Sequence, residues 1–442
     1  MPHHLDLGTR RAGRLFDFDP ETPEIQVSLE HSDDGICVTV PWSEPDSPYA
    51  QWFDPDGRRQ HLNGTDIPPR RVPRRLLFED SHGSVLLIGC WAQGFHANVF
   101  GPGSGRVWAS VAVVGVEEDT EYDRPHGLQT EISGLREWLG VTSWTREVDW
   151  SQAGTPATLH STPPPAIEID AFAGLALDLV PSWRIAQEEE LDRWVLLDLV
   201  RCRTRSAQPE AWDSHLQLHR AIRDLLVLSR WWVESCVEVS ATRDDDLIRM
   251  PDGKSHRPQW RHVVVPRGDR RQAPRGLRPH LVEFEDLGSA GIAQWIRLRD
   301  EFARALDPVI SSIDLDAAPH TLLAHTGPGL EALGYLLMRR DGMRKKDASE
   351  VPLRARLERI LEDVEGCLPL DGAAWIANTC RAYNALKHAN RKAPDAVEML
   401  SAWRQSVLVV RTWVALELGV SPADLASRLA NDPQRRLVAG QR

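Results

Sequence analysis

The hydrophobic periodicity of this chain changes along its length, and that change constrains the fold more than any other feature of the sequence. Short alternating or β-branched runs occur in the first 165 or so residues, separated by turn-rich segments, at 25–29, 36–40, 84–90 and 107–116. From about residue 290 onwards, apolar residues recur every three to four positions, which is typical of amphipathic helices. The sequence therefore predicts an α+β protein in which a large β-rich domain with a few helices precedes an all-α bundle.

The chain of 442 residues is longer than one ordinary core supports, so two or three domains are expected. We predict domains at 1–289 and 290–442, and the proline-rich stretch at 155–165 is a candidate division of the first into two subdomains. A strong helical repeat at 214–233 predicts one buried helix inside the β-rich part. The glycine run at 101–105 predicts a hairpin turn and no nucleotide site, because no Lys-Ser/Thr pair follows it.

Composition narrows the classes of function. The net charge of −12 disfavours indiscriminate nucleic-acid binding, so any RNA contact must come from local basic patches. No apolar run is long enough to cross a bilayer and no secretory signal is present, which predicts a cytoplasmic protein. The six cysteines form no C-x-x-C pair, and His215 and His219 have metal-ligand spacing but no third ligand. We therefore expect neither a metal nor another cofactor.

The stretch at 371–390 carries the most chemistry. Wound as one helix, it places an apolar arc on one side, made of Trp375, Ile376, Cys380, Ala382, Tyr383 and Leu386. Arg381, Asn384 and His388 form a polar stripe on the other side, because seven residues make nearly two turns. Small residues flank this stripe, namely Ala374, Ala377 and Ala385, so a close approach by another molecule is expected. A guanidinium is a fork-shaped anion donor and an imidazole can carry a proton at neutral pH. Together they suit phosphodiester cleavage.

An arginine followed by six residues and a histidine, near the end of an all-helical segment, resembles the motif of the HEPN ribonucleases. The whole chain resembles an ApeA-type protein, and the segment from Gly134 to Gly140 is similar to a Leu/Trp-containing part of the ApeA N-terminal domain. The resemblance implies an ApeA-like domain at 1–289 and a HEPN domain at 290–442. It also implies a dimer and a role in anti-phage abortive infection, with a phage-derived trigger sensed by the N-terminal domain.

On this interpretation the protein is a metal-independent endoribonuclease. His388 is the candidate general acid or base for attack by the RNA 2′-hydroxyl, and Arg381 is the candidate stabiliser of charge on the phosphoryl oxygens. Asn384 and Lys387 are supporting candidates, and Glu331, on a neighbouring helix, is a candidate to orient Arg381 through a bidentate pair. An ordinary surface position for Glu331 is an equal alternative. One histidine does not easily serve both ends of the reaction, so we expect a homodimer with a composite site.

Local basic groups are the candidate contacts to the RNA backbone: Arg344, Lys345, Lys346, Arg391 and Lys392. The same groups could simply be solvated surface residues. A second hypothesis, from a different class, is a non-catalytic sensor that binds RNA or another ligand and uses the helical domain only to dimerise. That hypothesis expects binding without cleavage. A carbohydrate-active β domain is disfavoured because no pair of carboxylates has a readable spacing.

Overall fold

The computed structural model of the protein describes residues 5–44, 47–53, 70–96, 102–116, 120–151, 157–188, 193–249, 255–265, 279–392 and 394–432. The strands are β1 (Arg10–Phe16), β2 (Ile25–Ser32), β3 (Gly35–Trp42), β4 (Arg75–Asp80), β5 (Gly83–Ile88), β6 (Trp91–His96), β7 (Gly103–Ala109), β8 (Val111–Val114), β9 (Gly127–Ile132), β10 (Trp144–Val148), β11 (Ala157–Ser161), β12 (Ile167–Phe172), β13 (Leu175–Glu188), β14 (Arg193–Arg205), β15 (Cys236–Arg249) and β16 (Ser255–Val264). The helices are α1 (Pro48–Gln51), α2 (Leu135–Leu139), α3 (Trp212–Arg230), α4 (Phe284–Glu301), α5 (Ala303–Asp314), α6 (Pro319–Arg340), α7 (Lys345–Glu350), α8 (Leu353–Val364), α9 (Gly372–Lys387), α10 (Ala396–Glu417) and α11 (Pro422–Asn431), with a 3-10 turn at Glu365–Cys367.

The β-rich part is organised around one antiparallel sheet. Fourteen strands pair in the order β12-β13-β14-β9-β15-β16-β8-β5-β4-β1-β2-β3-β7-β6, and β10 and β11 form a separate hairpin. The strands β1 to β3 and β7 surround one apolar core, whereas α3 packs against the other half of the sheet. The predicted β-rich N-terminal part followed by a helical part is confirmed.

The predicted strands at 25–29, 36–40 and 84–90 correspond to β2, β3 and β5. The single strand predicted at 107–116 is two strands, because the chain changes partners at Ser110. Before that residue β7 pairs with β3 and β6, and after it β8 pairs with β5 and β16. The Ser110 hydroxyl donates to the Gly89 carbonyl at 3.2 Å, which fixes the crossing point. Hydropathy alone did not indicate this change of partner.

The glycine run at 101–105 also differs from its prediction. Residue 101 lies outside the described residues, but Gly103 and Gly105 lie inside β7 and not in a turn. A Cβ on Gly103 would lie 2.5 Å from the Trp42 ring, and one on Gly105 would lie 2.3 Å from the Phe53 ring. Glycine is needed here because two aromatic side chains of the core pack directly against the strand backbone.

The two histidines of α3 are core residues. His215 and His219 are fully buried, and the Thr204 hydroxyl lies 2.9 Å from His215 Nδ1 and 2.9 Å from His219 Nε2. Thr130 Oγ1 lies 2.7 Å from His219 Nδ1, and His215 Nε2 lies 3.3 Å from the Pro125 carbonyl. The carbonyl can only accept, so His215 donates from Nε2 and accepts from Thr204 at Nδ1. Thr204 then accepts from His219 Nε2, and Thr130 donates to His219 Nδ1. These bonds join α3 to β9 and β14.

The helical part shares a core with the half of the sheet that carries α3. One apolar cluster contains residues of α2, α3, β13 and β14 together with residues of α4, α5, α6, α8, α9, α10 and α11, including Trp138, Leu225, Trp295 and Trp413. The predicted boundary at 289 falls within α4. The apolar repeat that runs from Trp295 to Ile310 forms two helices, α4 and α5, which meet at Phe302. In the described part of the chain, no helix is both long enough and apolar enough to cross a membrane.

The helices α6 and α9 approach each other closely at Gly327. A Cβ on this residue would lie 2.2 Å from the Tyr383 ring of α9, and that tyrosine is buried. We expect Gly327→Ala to lower the free energy of unfolding by about 1 kcal/mol, since overpacking costs about 1–3 kcal/mol and the better helix propensity of alanine returns up to about 1. Urea unfolding measures this change. The control is Ala324→Gly, at an exposed position of α6, which should lose only the stability that comes from the helix propensity of alanine. Gly342→Ala is not a suitable control, because the backbone φ of Gly342 is positive. A Gly327→Ala protein more stable than the parent would contradict the close contact.

Candidate functional site

The helix α9 carries most of the predicted site. Its N-terminus is capped by Asp371, whose carboxylate accepts from Ala374 N at 3.0 Å. Its last helical residue is Lys387, and His388 follows in an extended conformation with φ −129° and ψ 106°. The prediction of one helix through residue 390 is therefore wrong at its end. The His388 N–H still donates to the Asn384 carbonyl at 3.1 Å, and Arg391 N donates to His388 O at 3.0 Å. His388 is thus held in the turn that follows α9.

The orientation of α9 follows from its apolar arc. Trp375 is fully buried and its indole N–H donates to Ser406 Oγ of α10 at 3.2 Å. Ile376, Ala382 and Tyr383 are also buried, as the sequence predicted. Arg381 and His388 are consequently exposed and Asn384 is half-buried.

Of the three small residues predicted to flank the polar stripe, two are exposed and one is buried. Ala374 and Ala377 are exposed, but Ala385 is 9% exposed and belongs to the buried side of the helix. The prediction of an outward seam that includes Ala385 is therefore wrong for that residue. Only the first half of α9 presents small side chains to solvent.

Arg381 is held by the helix that follows it in the chain. Its Nη2 donates to Glu398 Oε1 of α10 at 2.8 Å and to Asn378 Oδ1 at 3.3 Å. Glu398 lies in the first turn of α10, where Asp395 caps the helix by accepting from Glu398 N at 2.8 Å. The predicted pairing of Arg381 with Glu331 is wrong, because α10 and not α6 lies beside the guanidinium.

Glu331 instead contacts Lys387. The Lys387 Nζ lies 2.7 Å from Glu331 Oε1 and 5.0 Å from the centroid of the Tyr383 ring. Glu331 meets Lys387 because α6 and α9 are in contact at Gly327 and Tyr383. Glu331 lies one turn beyond Gly327 on α6, and Lys387 lies one turn beyond Tyr383 on α9. Burial raises the pKa of Tyr383 to about 12, and Glu331 adds to the shift. The phenol therefore stays protonated at neutral pH and is unsuited to act as a base there.

The predicted RNA-binding cations lie on two segments. Arg344 precedes α7 and pairs with Asp347 at 2.7 Å, and Lys345 and Lys346 are the first residues of that helix. Arg391 and Lys392 follow α9. All five of these side chains are exposed.

Arg356 of α8 connects α7 with the Glu331 region. Its Nη1 donates to the Glu331 carbonyl at 3.2 Å, and its Nη2 donates to the carbonyls of Ala348 at 3.2 Å and Ser349 at 3.1 Å. One guanidinium therefore holds the C-terminal half of α7 near the residue that pairs with Lys387. Through Arg356 and Glu331, the structure places α7 and the end of α9 beside the same stretch of α6. Neither Arg356 nor Glu398 was predicted from the sequence. The capping pattern from Asp395 to Glu398 marked a helix start, but not the contact with Arg381.

The protein has two parts, a long antiparallel sheet and a helical bundle, which share one apolar core. An exposed arginine and histidine lie at the end of one bundle helix. These features define a class of protein in which a β-rich domain precedes a helical domain. The family described as ApeA N-terminal domain 1 matches residues 14–231, and the family described as Apea-like HEPN matches residues 339–424. The chain therefore belongs to the ApeA-type proteins. Comparison with curated proteins and with solved structures found no significant match. The HEPN match includes Arg381, His388 and Glu398 but begins after Glu331, at residue 339.

Proposed function

We propose that this protein is a metal-independent HEPN endoribonuclease. HEPN domains are generally ribonucleases, and the matched region contains the Arg381 and His388 pair. The observation that supports the proposal most directly is the exposure of both side chains at the end of a helix whose opposite face is buried. An exposed guanidinium and imidazole are accessible to a phosphodiester, and the exposed ion pair of Arg381 with Glu398 is weak enough to exchange for a phosphate.

The proposed reaction is an internal transesterification of RNA. His388 removes the proton of the 2′-hydroxyl, and the 2′-oxygen then attacks the adjacent phosphorus while the bond from phosphorus to the 5′-oxygen breaks. The products are a 2′,3′-cyclic phosphate and a 5′-hydroxyl, whose proton comes from a second acid. Arg381 stabilises the charge that develops on the non-bridging phosphoryl oxygens. Asn384, on the same side of α9, is the candidate to orient the phosphate.

We further propose that two copies form the site. The second acid is then the equivalent histidine of the other copy, and the exposed Ala374 and Ala377 would permit a close approach of the two α9 helices. The basic groups of α7, with Arg391 and Lys392 after α9, would contact the phosphates on either side of the cleaved bond. Lys387 would join them when Glu331 releases it.

The β-rich part would act as the regulator of this nuclease. In this proposal the segments 1–289 and 290–442 are two functional units, and the first responds to a trigger produced during phage infection. RNA cleavage in the cytoplasm would then stop growth of the infected cell. Support for this role comes from the ApeA and HEPN matches alone.

The test is cleavage of cellular RNA by the purified chain in the presence of EDTA. We expect fragments that end in 2′,3′-cyclic phosphate, identified because phosphatase removes the terminal phosphate only after acid has opened the ring. Extracts of phage-infected cells supply the trigger if the protein is silent at rest. RNA that is bound but left intact under every condition would contradict the proposal, and would favour the non-catalytic sensor that only dimerises through its helical domain.

A further inference from the structure

The helix α10 contacts the candidate site at one end and the β-rich part at the other. Glu398, in its first turn, holds Arg381, and Arg411 lies thirteen residues further along the same helix. At 1.5 Å per residue these positions are about 20 Å apart. The two contacts therefore connect distant parts of the protein through one continuous helix.

Arg411 is inserted into the end of α3. Its side chain is 1% exposed, and its guanidinium donates to the carbonyls of Leu228 at 2.5 Å and Ser229 at 2.9 Å. Carbonyls in the last turn of a helix have no partner within the helix and carry partial negative charge. Arg411 supplies positive charge to this helix end and donates to both carbonyls, and the Leu281 N–H also donates to the Ser229 carbonyl at 2.9 Å.

Two further contacts complete the attachment. Arg411 Nη1 pairs with Asp432 at 3.0 Å, and the guanidinium lies 5.1 Å from the centroid of the Trp231 ring. The Trp231 ring in turn meets Trp403 of α10 edge to face, with centroids 6.1 Å apart. A buried charge with satisfied partners is costly to dislodge, so α10 cannot shift along α3 without breaking this set of contacts.

The contact at the other end of α10 is of a different kind. The side chains of Arg381 and Glu398 are 56% and 43% exposed, and exposed ion pairs are weak and easily exchanged. Glu398 is nevertheless the one ion-pair partner of Arg381 among the described residues, so the place of the guanidinium follows the first turn of α10. The ends of α3 and α10 also belong to different matches, since Leu228 and Ser229 lie in the ApeA N-terminal domain 1 region and Arg411 lies in the HEPN region.

We infer that α10 couples the β-rich part to the candidate nuclease site, with Arg411 as the attachment to α3 and Glu398 as the positioning residue for Arg381. A change at the end of α3 then reaches Arg381 through α10. Because coupling between two sites is reciprocal, freeing Arg381 also alters the end of α3. The inference rests on the proposed function only in assigning Arg381 to RNA cleavage.

The first test is hydrogen exchange measured by mass spectrometry on the full chain, without RNA. We expect Arg411→Met to raise exchange severalfold in peptides covering 376–388 and 394–400. Arg404→Met is the matched control, because Arg404 lies on the same helix and makes no hydrogen bond or ion pair with the described residues. Peptides covering 25–42, in the distant half of the sheet, should not change in either variant. Wild-type exchange at 376–400 in a folded Arg411→Met protein would overturn the inference, as would a uniform rise across the chain.

A milder variant covers the case in which Arg411→Met does not fold. Asp432→Asn removes the charge of one partner and leaves the two carbonyl contacts of Arg411 in place. We expect a smaller rise in the same two segments, and unchanged exchange there would overturn the inference.

Cleavage gives a second, separate measurement. We expect Glu398→Gln to change kcat/KM for RNA at least threefold, and Arg411→Met to have no further effect in that background. Additive effects of the two substitutions would contradict a shared route through α10. If no variant cuts RNA, the proposed function fails while the exchange result still decides whether α10 couples the two parts.

Discussion

His388→Ala should lower the rate of RNA cleavage at least about a hundredfold, since a positioned general acid or base contributes about 10²–10⁴-fold. The residue follows the last turn of α9 and its side chain is exposed, so the substitution leaves the core intact. Arg381→Ala should produce a loss of similar size, because removing one stabiliser of transition-state charge costs about 10²–10³-fold. Initial rates on a fluorescent RNA in EDTA measure both effects.

Two substitutions serve as controls for these variants. His325→Ala removes an exposed histidine of α6, and Arg354→Ala removes an arginine of α8 whose side chain is 60% exposed. Both should cut RNA at the rate of the parent. Arg381→Lys keeps the charge but loses the planar fork, and should recover only part of the activity. Cleavage by His388→Ala at the parental rate would remove His388 from the reaction.

A mixing experiment tests the composite site. When parent and His388→Ala chains are mixed in equal amounts, the activity per parental chain should fall to about half, because each mixed dimer lacks one of the two histidines that the joint site needs. His325→Ala chains mixed in the same way should leave the activity unchanged. Unchanged activity in mixtures of parent and His388→Ala chains that are shown to exchange subunits would indicate that one chain contains the whole site.

Acid should destabilise the protein through His219 of α3. Burial lowers the pKa of this imidazole from 6.5 to about 3, and the neighbouring His215 shifts it in the same direction. The unfolded chain therefore binds a proton that the folded chain excludes between these two pH values. Stability from this group is fully present above pH 6.5 and is lost as the pH falls towards 3. At pH 5 the expected loss is about 2 kcal/mol.

Urea unfolding at pH 7.5 and pH 5, followed by tryptophan fluorescence, measures this loss. His219→Gln cannot take up the proton, so its unfolding free energy should fall by about 2 kcal/mol less than that of the parent over the same interval. The variant should also be less stable at pH 7.5, because glutamine cannot keep both threonine partners. His325→Gln, at an exposed position, should follow the parent at both pH values. Equal pH dependence in the His219→Gln protein and the parent would show that this imidazole is protonated in the folded state.

Short-range patterns in the sequence were sufficient for much of the fold. The alternation at 25–29 and 36–40 gave β2 and β3, and the helical repeats gave α3, α6, α9 and α10 to within a few residues of their ends. Ser421 caps α11, with its hydroxyl accepting from Asp424 N at 3.1 Å, as the local Ser-Pro-Ala-Asp pattern favours. These features depend on residues at most four positions apart, which the sequence displays directly.

The end of α9 was not predicted because it depends on competition between conformations. The residues after Lys387 are compatible with another turn of helix, yet His388 is extended and Arg391 closes a turn back to it. Helix ends are set by small differences in free energy, so a pattern of residues fixes them poorly. As a consequence, His388 does not continue the helical stripe formed by Arg381 and Asn384.

By itself the sequence determined which faces of the helices are apolar, the order of strand-rich and helix-rich parts, and the position of the arginine and histidine pair near the end of one helix. Only the tertiary structure decided which carboxylate meets which cation: Glu398 with Arg381, and Glu331 with Lys387. It also decided that Arg411 is buried against the end of α3. The physical reason is that periodicity records whether a side chain faces the core, whereas an ion pair depends on how two separate elements pack against each other. Here the contact of Gly327 with Tyr383 sets the place of α6 beside α9.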